Sequence, residues 1–461
     1  MTKGWIAGLL FSGILMIGCG ESTQNKGTTA TADSTSNAEN IDSLATRTDS
    51  TQSDSTGKDS LISDSVIYKH PKIVRQTYKS GKLIRPNIKV KGIYITGPTA
   101  GTKRMKELVE LITSTEMNAI VLDIKNDGGK ITYKIDNEQA QEMGACIKYV
   151  RDMPGLIENL HEKGIYVIGR IVCFKDPVLA KNRPELALCK PNGGPVTDGK
   201  GQPWVNPYKK EVWEYLCSLA EQATADGFDE IQFDYVRFPI GDDANKADYG
   251  VDLKEYPRED GLNDFFDYVQ ERLHKKNIIF GADLFGTVIG SDTDRDRTGQ
   301  DYVDLGKKAD ALYPMIYPSH YGPRTFGLDV PDAHPYACIK GALELSKKQF
   351  VPLGDSIPTA IIRPWLQCFS APWVRGHISY GSRQLKQQIQ AVYDAGYEEW
   401  VLWNASNRYG YVKQALTSKE NAKSDEKAAA DSTKQAKVPS DTTTTEKANI
   451  HNDTQEKTEE Q

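Results

Sequence analysis

The sequence lacks the features that mark several common protein classes. Its 57 Lys and Arg against 63 Asp and Glu give a net charge of −6, without the basic surplus typical of nucleic-acid-binding proteins. No apolar run reaches the roughly 18 residues that a membrane-spanning helix needs. None of the seven cysteines lies in a Cys-x-x-Cys pair, and the seven histidines show no His-x-x-x-His spacing. We therefore expect no nucleic-acid partner, no metal site and no cofactor.

Both ends of the chain have too few apolar residues to build a packed core. Residues 20–65 and 418–461 are rich in Ser, Thr, Lys, Asp and Glu. Such segments bury too little apolar surface to offset the entropy lost on ordering. We predict a disordered tether over 19–65 and a disordered tail over 418–461. The remaining residues 66–417 are enough for one large α/β barrel.

The first residues have the pattern of an export signal. Lys3 precedes an apolar run over 6–18, and Cys19 follows. The stretch Leu15-Met16-Ile17-Gly18-Cys19 resembles a bacterial lipobox, which implies cleavage of a signal peptide over 1–18 and lipidation of Cys19. This would attach the protein to a membrane of the bacterial cell envelope, at the outer membrane or the periplasmic face. The alternative is an ordinary secretory signal with an incidental cysteine.

The central region alternates between strand patterns and helix patterns. Strands are predicted over residues 92–97, 119–124, 164–171, 230–235, 279–285, 311–317, 359–364 and 399–404. Eight strands, each followed by a helix, predict a (β/α)8 TIM barrel. The alternative, an open doubly wound sheet, would favour a Gly-x-Gly-x-x-Gly turn after the first strand. Residues 97–101 do not supply that turn. Cys173 and Cys217 fall in apolar patterns, which favours buried thiols over disulfides.

Polar residues gather at the ends of the predicted strands, where a barrel binds its substrate. Glu230, Gln232 and Asp234 share one face of the fourth strand, because side chains alternate along a strand. A polar row against the outer helices would be costly, so these residues should face the barrel interior. Asp283 holds the comparable position in the fifth strand. Further candidates at strand ends or in the following loops are Asp123, Arg170, Asp176, Trp204, Tyr235, Arg237, Tyr317, His320, Trp403 and Asn404.

Several of these residues also have a purely structural interpretation. Asp234 could form a buried ion pair with Arg170 or Arg237, and Asp283 could cap a helix. The tryptophans could be ordinary core residues, and His320 could merely hold its loop. The acidic segment 291–297 could bind calcium through its oxygens, but alternating Asp and Arg more often marks a self-paired surface segment.

Six stretches resemble the bacterial "putative glycosyl hydrolase domain" family, a relative of the α-amylase-type barrels. They are residues 91–97 (KGIYITG), 164–177 (GIYVIGRIVCFKDP), 204–207 (WVNP), 227–239 (GFDEIQFDYVRFP), 298–301 (TGQD) and 314–321 (PMIYPSHY). The resemblance implies a TIM-barrel fold with glycosidase-like chemistry. Amylase-like barrels carry a nucleophilic Asp at the end of strand four, which matches Asp234. They carry a Glu acid at the end of strand five, where this chain has the shorter Asp283, and an Arg where it has Gln232.

Glycoside hydrolysis needs one protonated and one ionised carboxyl group. We assign these roles to Asp283 and Asp234, with Asp123 and Asp176 as alternative acids. The expected function is cleavage of a poly- or oligosaccharide at the cell envelope. A glycan-binding barrel without catalysis is the alternative. A metal-dependent esterase or deacetylase ranks last because the histidine spacing is missing.

Overall fold

The computed structural model describes residues 88–354, 357 and 359–417, and these form a closed parallel barrel. The predicted signal peptide, Cys19, the tether, the tail and residues 66–87 lie outside the described residues. The strands are β1 (Lys91–Ile95), β2 (Ala119–Lys125), β3 (Tyr166–Val172), β4 (Glu230–Asp234), β5 (Phe280–Phe285), β6 (Ala311–Ile316), β7 (Ile361–Ile362), β8 (Trp365–Gln367) and β9 (Trp400–Trp403). Neighbours pair in parallel from β1 to β6, and β9 pairs with both β8 and β1. The predicted barrel is confirmed.

The seventh position of the barrel is occupied by two short strands, β7 and β8. Both pair with β6, at Ala311–Leu312 and Met315–Ile316 respectively. Pro364 lies between them and has no backbone N–H to donate. The predicted strand over 359–364 therefore ended too early, since the pairing continues to Gln367.

Helices separate the strands and form the outer layer. The α-helices are α1 (Gly97–Ala100), α2 (Arg104–Thr113), α3 (Glu138–Glu142), α4 (Met153–Glu162), α5 (Pro177–Asn182), α6 (Lys210–Ala225), α7 (Asp242–Asn245), α8 (Arg258–His274), α9 (Asp292–Thr298), α10 (Tyr302–Lys308), α11 (Pro335–Phe350), α12 (Ser382–Asp394) and α13 (Val412–Thr417). Single 3₁₀ turns lie at Pro184–Leu186, Gly286–Ile289, Pro318–His320, Thr325–Gly327, Pro331–Ala333 and Val351–Leu353. Among the described helices, none has the length and apolar character required to cross a bilayer.

Local signals in the sequence explain where two of these helices begin. Asp152 accepts a hydrogen bond from the Gly155 backbone N–H and caps α4. Before α6, the Asn206 side chain accepts from the Tyr208 backbone N–H, and the helix begins at Lys210. The apolar face of α6, which includes Trp213 and Leu216, is buried.

The barrel interior has a charged floor at the amino ends of the strands. Arg363 lies between Glu230 and Glu399, and its Nη1 is 2.7 Å from Glu230 Oε2. Tyr313 donates a hydrogen bond of 2.5 Å to Glu230. These groups are buried, so each charge is balanced where water cannot reach it. The inward orientation predicted for the polar face of β4 is thus confirmed at its first residue.

The six cysteines of the described region are free thiols, and Cys173 and Cys217 are buried as predicted.

Candidate active site

Two carboxyl groups end neighbouring strands at the mouth of the barrel. β4 and β5 pair in parallel with Phe233 opposite Ala282, and Asp234 and Asp283 are the next residues of the two strands. Both side chains are buried: Asp234 is 6% exposed and Asp283 is 2% exposed. The alternation of side chains along each strand brings both residues into the barrel interior. This is the arrangement that the sequence predicted.

Asp234 is held as an ion pair with Arg170. Its Oδ2 accepts from Arg170 Nε at 2.9 Å and from Nη2 at 2.6 Å, and its Oδ1 accepts from the Tyr235 backbone N–H at 2.6 Å. Tyr235 has a φ of 49°, an unusual conformation for a residue with a large side chain. The backbone therefore turns sharply after Asp234, and this turn lets the next amide bond to the carboxylate.

The surroundings of Asp283 favour the protonated form of its carboxyl group. Burial raises the pKa of its carboxyl group well above the ordinary value, and the negative charge of Asp234 raises it further. A hydrogen bond of 2.7 Å from Trp365 Nε1 to Oδ1 and the more distant Arg170 act in the other direction, but burial dominates. Burial and the neighbouring negative charge thus both favour the protonated form of Asp283, which is the form that a general acid requires.

Arg170 is the centre of a wider carboxylate network. Its Nη1 is 2.7 Å from Asp123 Oδ1, and its Nη2 is 2.8 Å from Asp127 Oδ1. Burial raises the pKa of Asp123 to about 6. Tyr94 donates a hydrogen bond of 2.8 Å to the other oxygen of Asp123 and stacks on Trp403 at 4.1 Å. Contacts with three carboxyl groups thus hold the Arg170 side chain in place, and Arg170 in turn orients Asp234.

One wall of the mouth combines a cation with aromatic rings. The Arg237 guanidinium lies 4.9 Å from the ring of Trp204, 5.3 Å from Tyr235 and 4.7 Å from Phe285. Burial lowers the pKa of Arg237. Lys175 lies over the other part of this wall, 5.0 Å from the Tyr235 ring. The structure therefore brings together the predicted residues Trp204, Tyr235 and Arg237 beside Asp234.

Tyr317 and His320 follow β6, two strands along the barrel from β4. Tyr317 is buried, whereas the His320 side chain is exposed to solvent. The two rings meet edge-on at 5.0 Å. The pKa of Tyr317 is raised well above its usual value, first by burial and then by the charges of Asp283 and Asp234. Tyr317 belongs to the same buried cluster as Trp365, the hydrogen-bond donor to Asp283.

Asp176 and Asn404 make structural contacts. Asp176 accepts hydrogen bonds from the first backbone amides of α5 and is 2.9 Å from the Lys125 ammonium group. Asn404 donates a bond of 2.6 Å to the Cys368 carbonyl and accepts from the Ser406 backbone N–H. These contacts hold the loops after β3 and β8, so we do not place either side chain among the groups that touch substrate.

Sequence reasoning missed three members of the site: Tyr94, Asp127 and Trp365. Trp365 was missed because Pro364 appeared to end the seventh strand. Asp127 lies in a turn after β2, where alternation gives no orientation. Tyr94 could have been found, since it alternates with buried Ile93 and Ile95 in a strand already predicted.

Segment 291–297 shows the self-paired pattern that the sequence favoured. Ser291 caps α9, and Arg295 bonds Asp292 at 3.0 Å and Asp296 at 2.9 Å. In the part of the chain that the structure describes, no group of three or more His, Cys, Asp and Glu side chains is arranged to hold a metal ion.

The chain resembles known proteins in sequence and in fold. A family model described as "Putative glycosyl hydrolase domain" matches residues 92–409. Solved structures similar to this chain include a hypothetical protein from Ruminiclostridium thermocellum ATCC 27405, with 38% identity over 41% of this chain and 96% of that one, and a TM-score of 0.37. No curated protein sequence matches.

Two further solved structures are similar to this chain at low sequence identity. The PgaB (BpsB) glycoside hydrolase domain from Bordetella bronchiseptica is 11% identical over 72% of this chain and 100% of that one, with a TM-score of 0.50. The spore cortex-lytic enzyme SleL from Bacillus megaterium QM B1551 is 11% identical over 73% of this chain and 76% of that one, with a TM-score of 0.41.

Proposed function

Because this chain belongs to the family described as "Putative glycosyl hydrolase domain", we propose that it hydrolyses the O-glycosidic bonds of a poly- or oligosaccharide. The observation that carries the proposal is the pair Asp234 and Asp283. The two groups end neighbouring strands, one paired with a guanidinium and the other buried beside a negative charge. Two carboxyl groups whose surroundings favour opposite protonation states are what glycoside hydrolysis requires.

In the proposed reaction, Asp283 donates its proton to the glycosidic oxygen as the bond from that oxygen to the anomeric carbon breaks. The Asp234 carboxylate attacks the anomeric carbon from the opposite face and forms a glycosyl-enzyme ester. Asp283, now ionised, then takes a proton from a water molecule that cleaves the ester. Neighbouring parallel strands lie about 4.8 Å apart, close to the ~5 Å carboxyl separation of retaining enzymes. We therefore propose retention of configuration.

The other residues of the mouth have supporting roles in this proposal. Arg170 is a positioning residue, because its two bonds to Asp234 fix the orientation of the nucleophile. Asp123 and Asp127 in turn fix Arg170. The rings of Trp204, Tyr235 and Trp403 and the hydroxyl of Tyr317 line the space where a sugar would bind, and Arg237 and His320 donate to its hydroxyl groups.

Incubation of the purified protein with a panel of envelope and plant glycans tests the proposal. New reducing ends should appear with at least one glycan, and Asp234→Asn should reduce the rate by about 10³-fold or more. Asp310→Asn is the matched control, since Asp310 is also buried and paired but precedes β6, at the other end of the barrel. Glycan binding without cleavage would instead support the non-catalytic alternative.

We also propose that the protein acts at the bacterial cell envelope, attached through a lipid on Cys19. The support for this is the apolar run over 6–18, which ends at Gly18 and is followed directly by Cys19. Metabolic labelling with a fatty-acid analogue tests it. The wild-type protein should incorporate label and Cys19→Ala should not, whereas equal labelling would refute the assignment.

A further inference from the structure

An aromatic path leads outward from the two carboxyl groups along one wall of the mouth. It begins at Tyr317, which is buried in the same interior cluster as Trp365, the hydrogen-bond donor to Asp283. The Tyr317 ring meets Phe369 at 5.8 Å and 71°. Phe369 in turn lies nearly parallel to Trp373, at 6.1 Å and 21°. Three rings in sequence therefore connect the catalytic pair to the protein surface.

The outer end of this path is exposed to an unusual degree for such a large ring. Trp373 is 44% exposed, whereas the other described tryptophans are buried or, like Trp403, half-buried. Phe369 is half-buried and packs against the interior cluster of the barrel. An exposed ring that continues a row of aromatic side chains from the site adds apolar contact area for a ligand bound there.

The loop that carries Phe369 and Trp373 is fixed by its own hydrogen bonds. The Phe369 carbonyl accepts from Gln367 Nε2 at 3.1 Å. The preceding carbonyl, of Cys368, accepts from Asn404 Nδ2 at 2.6 Å. Because the loop is held in this way, the rings are presented in place before any ligand arrives, which lowers the entropic cost of binding.

We propose that Tyr317, Phe369 and Trp373 form an extended glycan-binding subsite, with Trp373 stacking on a sugar ring several units from the cleaved bond. The inference rests on the proposed function and specifies its substrate class as a chain of several sugars rather than a disaccharide. The flat, apolar face of an aromatic ring suits the C–H-rich face of a pyranose.

The continuity of the rings favours a glycan over a protein partner. A patch that binds another protein or a second copy need not lead into the catalytic cleft. Here the path starts in the cluster that holds Trp365, the hydrogen-bond donor to Asp283, and each ring meets the next. The ligand that follows it outward is the one whose bond lies between the two carboxyl groups.

The test is calorimetric titration with the disaccharide and hexasaccharide of the cello-, chito-, malto- and xylo- series. The titrations use the full chain carrying Asp234→Asn, so that binding is measured without cleavage. At least one hexasaccharide should bind more tightly than its disaccharide. Adding Trp373→Ala should weaken that hexasaccharide by about tenfold and change disaccharide binding less than twofold. Trp373→Phe should restore most of the lost affinity, because it keeps a flat ring.

The matched control is Val351→Ala, because Val351 is 70% exposed but follows α11, at the end of the barrel opposite the mouth. It should leave every affinity unchanged. Unchanged hexasaccharide binding in Trp373→Ala would overturn the subsite, as would a wild-type protein that binds no hexasaccharide more tightly than its disaccharide. A change in oligomeric state with unchanged glycan binding would assign Trp373 to a protein interface instead.

The outcomes separate this inference from the proposed hydrolysis. If hexasaccharide binding depends on Trp373 and the protein with Asp234 intact cleaves no glycan, the subsite stands and hydrolysis is refuted. If the protein with Asp234 intact cleaves glycans and the Trp373→Ala variant cleaves them equally well, hydrolysis stands and the subsite is refuted.

Discussion

Replacement of Arg170 by Met removes the cation that three carboxyl groups share. Arg170 is 1% exposed, and its partners Asp123 and Asp234 are nearly as buried, whereas Asp127 is half-exposed and contributes less. Removing one partner of a buried ion pair costs about 3–5 kcal/mol, because the remaining charge is left uncompensated. We expect Arg170→Met to lower the free energy of unfolding by at least this amount at pH 8.

The pH dependence of this loss has a defined sign. The pKa of Asp123 is already raised from the ordinary 3.8 to about 6 by burial. Without Arg170, the positive charge that lowers the pKa of Asp123 is gone, so this pKa should be higher than in the wild type. A folded-state pKa above the unfolded value contributes stability at low pH, which is lost as the pH rises through the folded-state pKa. The destabilisation should therefore be smaller at pH 5 than at pH 8.

Urea denaturation followed by circular dichroism measures both effects. With a slope of about 3 kcal/mol/M, the midpoint at pH 8 should fall by about 1–1.7 M, and by less at pH 5. Arg170→Lys is the control, because it keeps the positive charge but loses the fork geometry. A midpoint shift that is the same at both pH values, or equal for Met and Lys, would refute the reasoning.

Two further predictions concern the reaction itself. Trp365→Phe removes the hydrogen bond that favours the ionised form of Asp283, so the pKa of Asp283 should rise. The basic limb of the pH profile of kcat/KM should then move to higher pH. A move to lower pH would contradict the assignment of Asp283 as the acid. Proton NMR of the first-formed product should show the same anomeric configuration as the substrate, because the two carboxyl groups end neighbouring strands. A product of inverted configuration would refute the nucleophilic role of Asp234.

The sequence was informative wherever side-chain alternation along a strand sets the direction of a residue. Asp234 and Gln232 could be assigned to the barrel interior because Ile231 and Phe233, between them, are apolar and suit the outer helices. The same reasoning placed Asp283 beside Asp234. Both assignments needed only the strand pattern and the rule that parallel strands end at one face of the barrel.

Positions outside regular strands could not be placed in this way. Asp127 reaches Arg170 from a turn, and Trp365 reaches Asp283 from a strand interrupted by a proline. Asp176 illustrates the converse case, because its position after β3 suggested a role in binding. Its oxygens instead cap α5 and pair with Lys125, a lysine enclosed in the barrel wall. Only the folded geometry distinguishes these cases.

The central claim is that Asp283 acts as the acid and Asp234 as the nucleophile. The most direct measurement compares the two Asn variants on an aryl glycoside whose phenol leaves without protonation, using the sugar that the glycan panel identifies. Asp283→Asn should slow cleavage of the natural glycan by about 10²–10⁴-fold and leave formation of the glycosyl-enzyme from the aryl glycoside nearly unchanged. Asp234→Asn should abolish cleavage of both. Equal losses for the two variants on both substrates would contradict this division of roles.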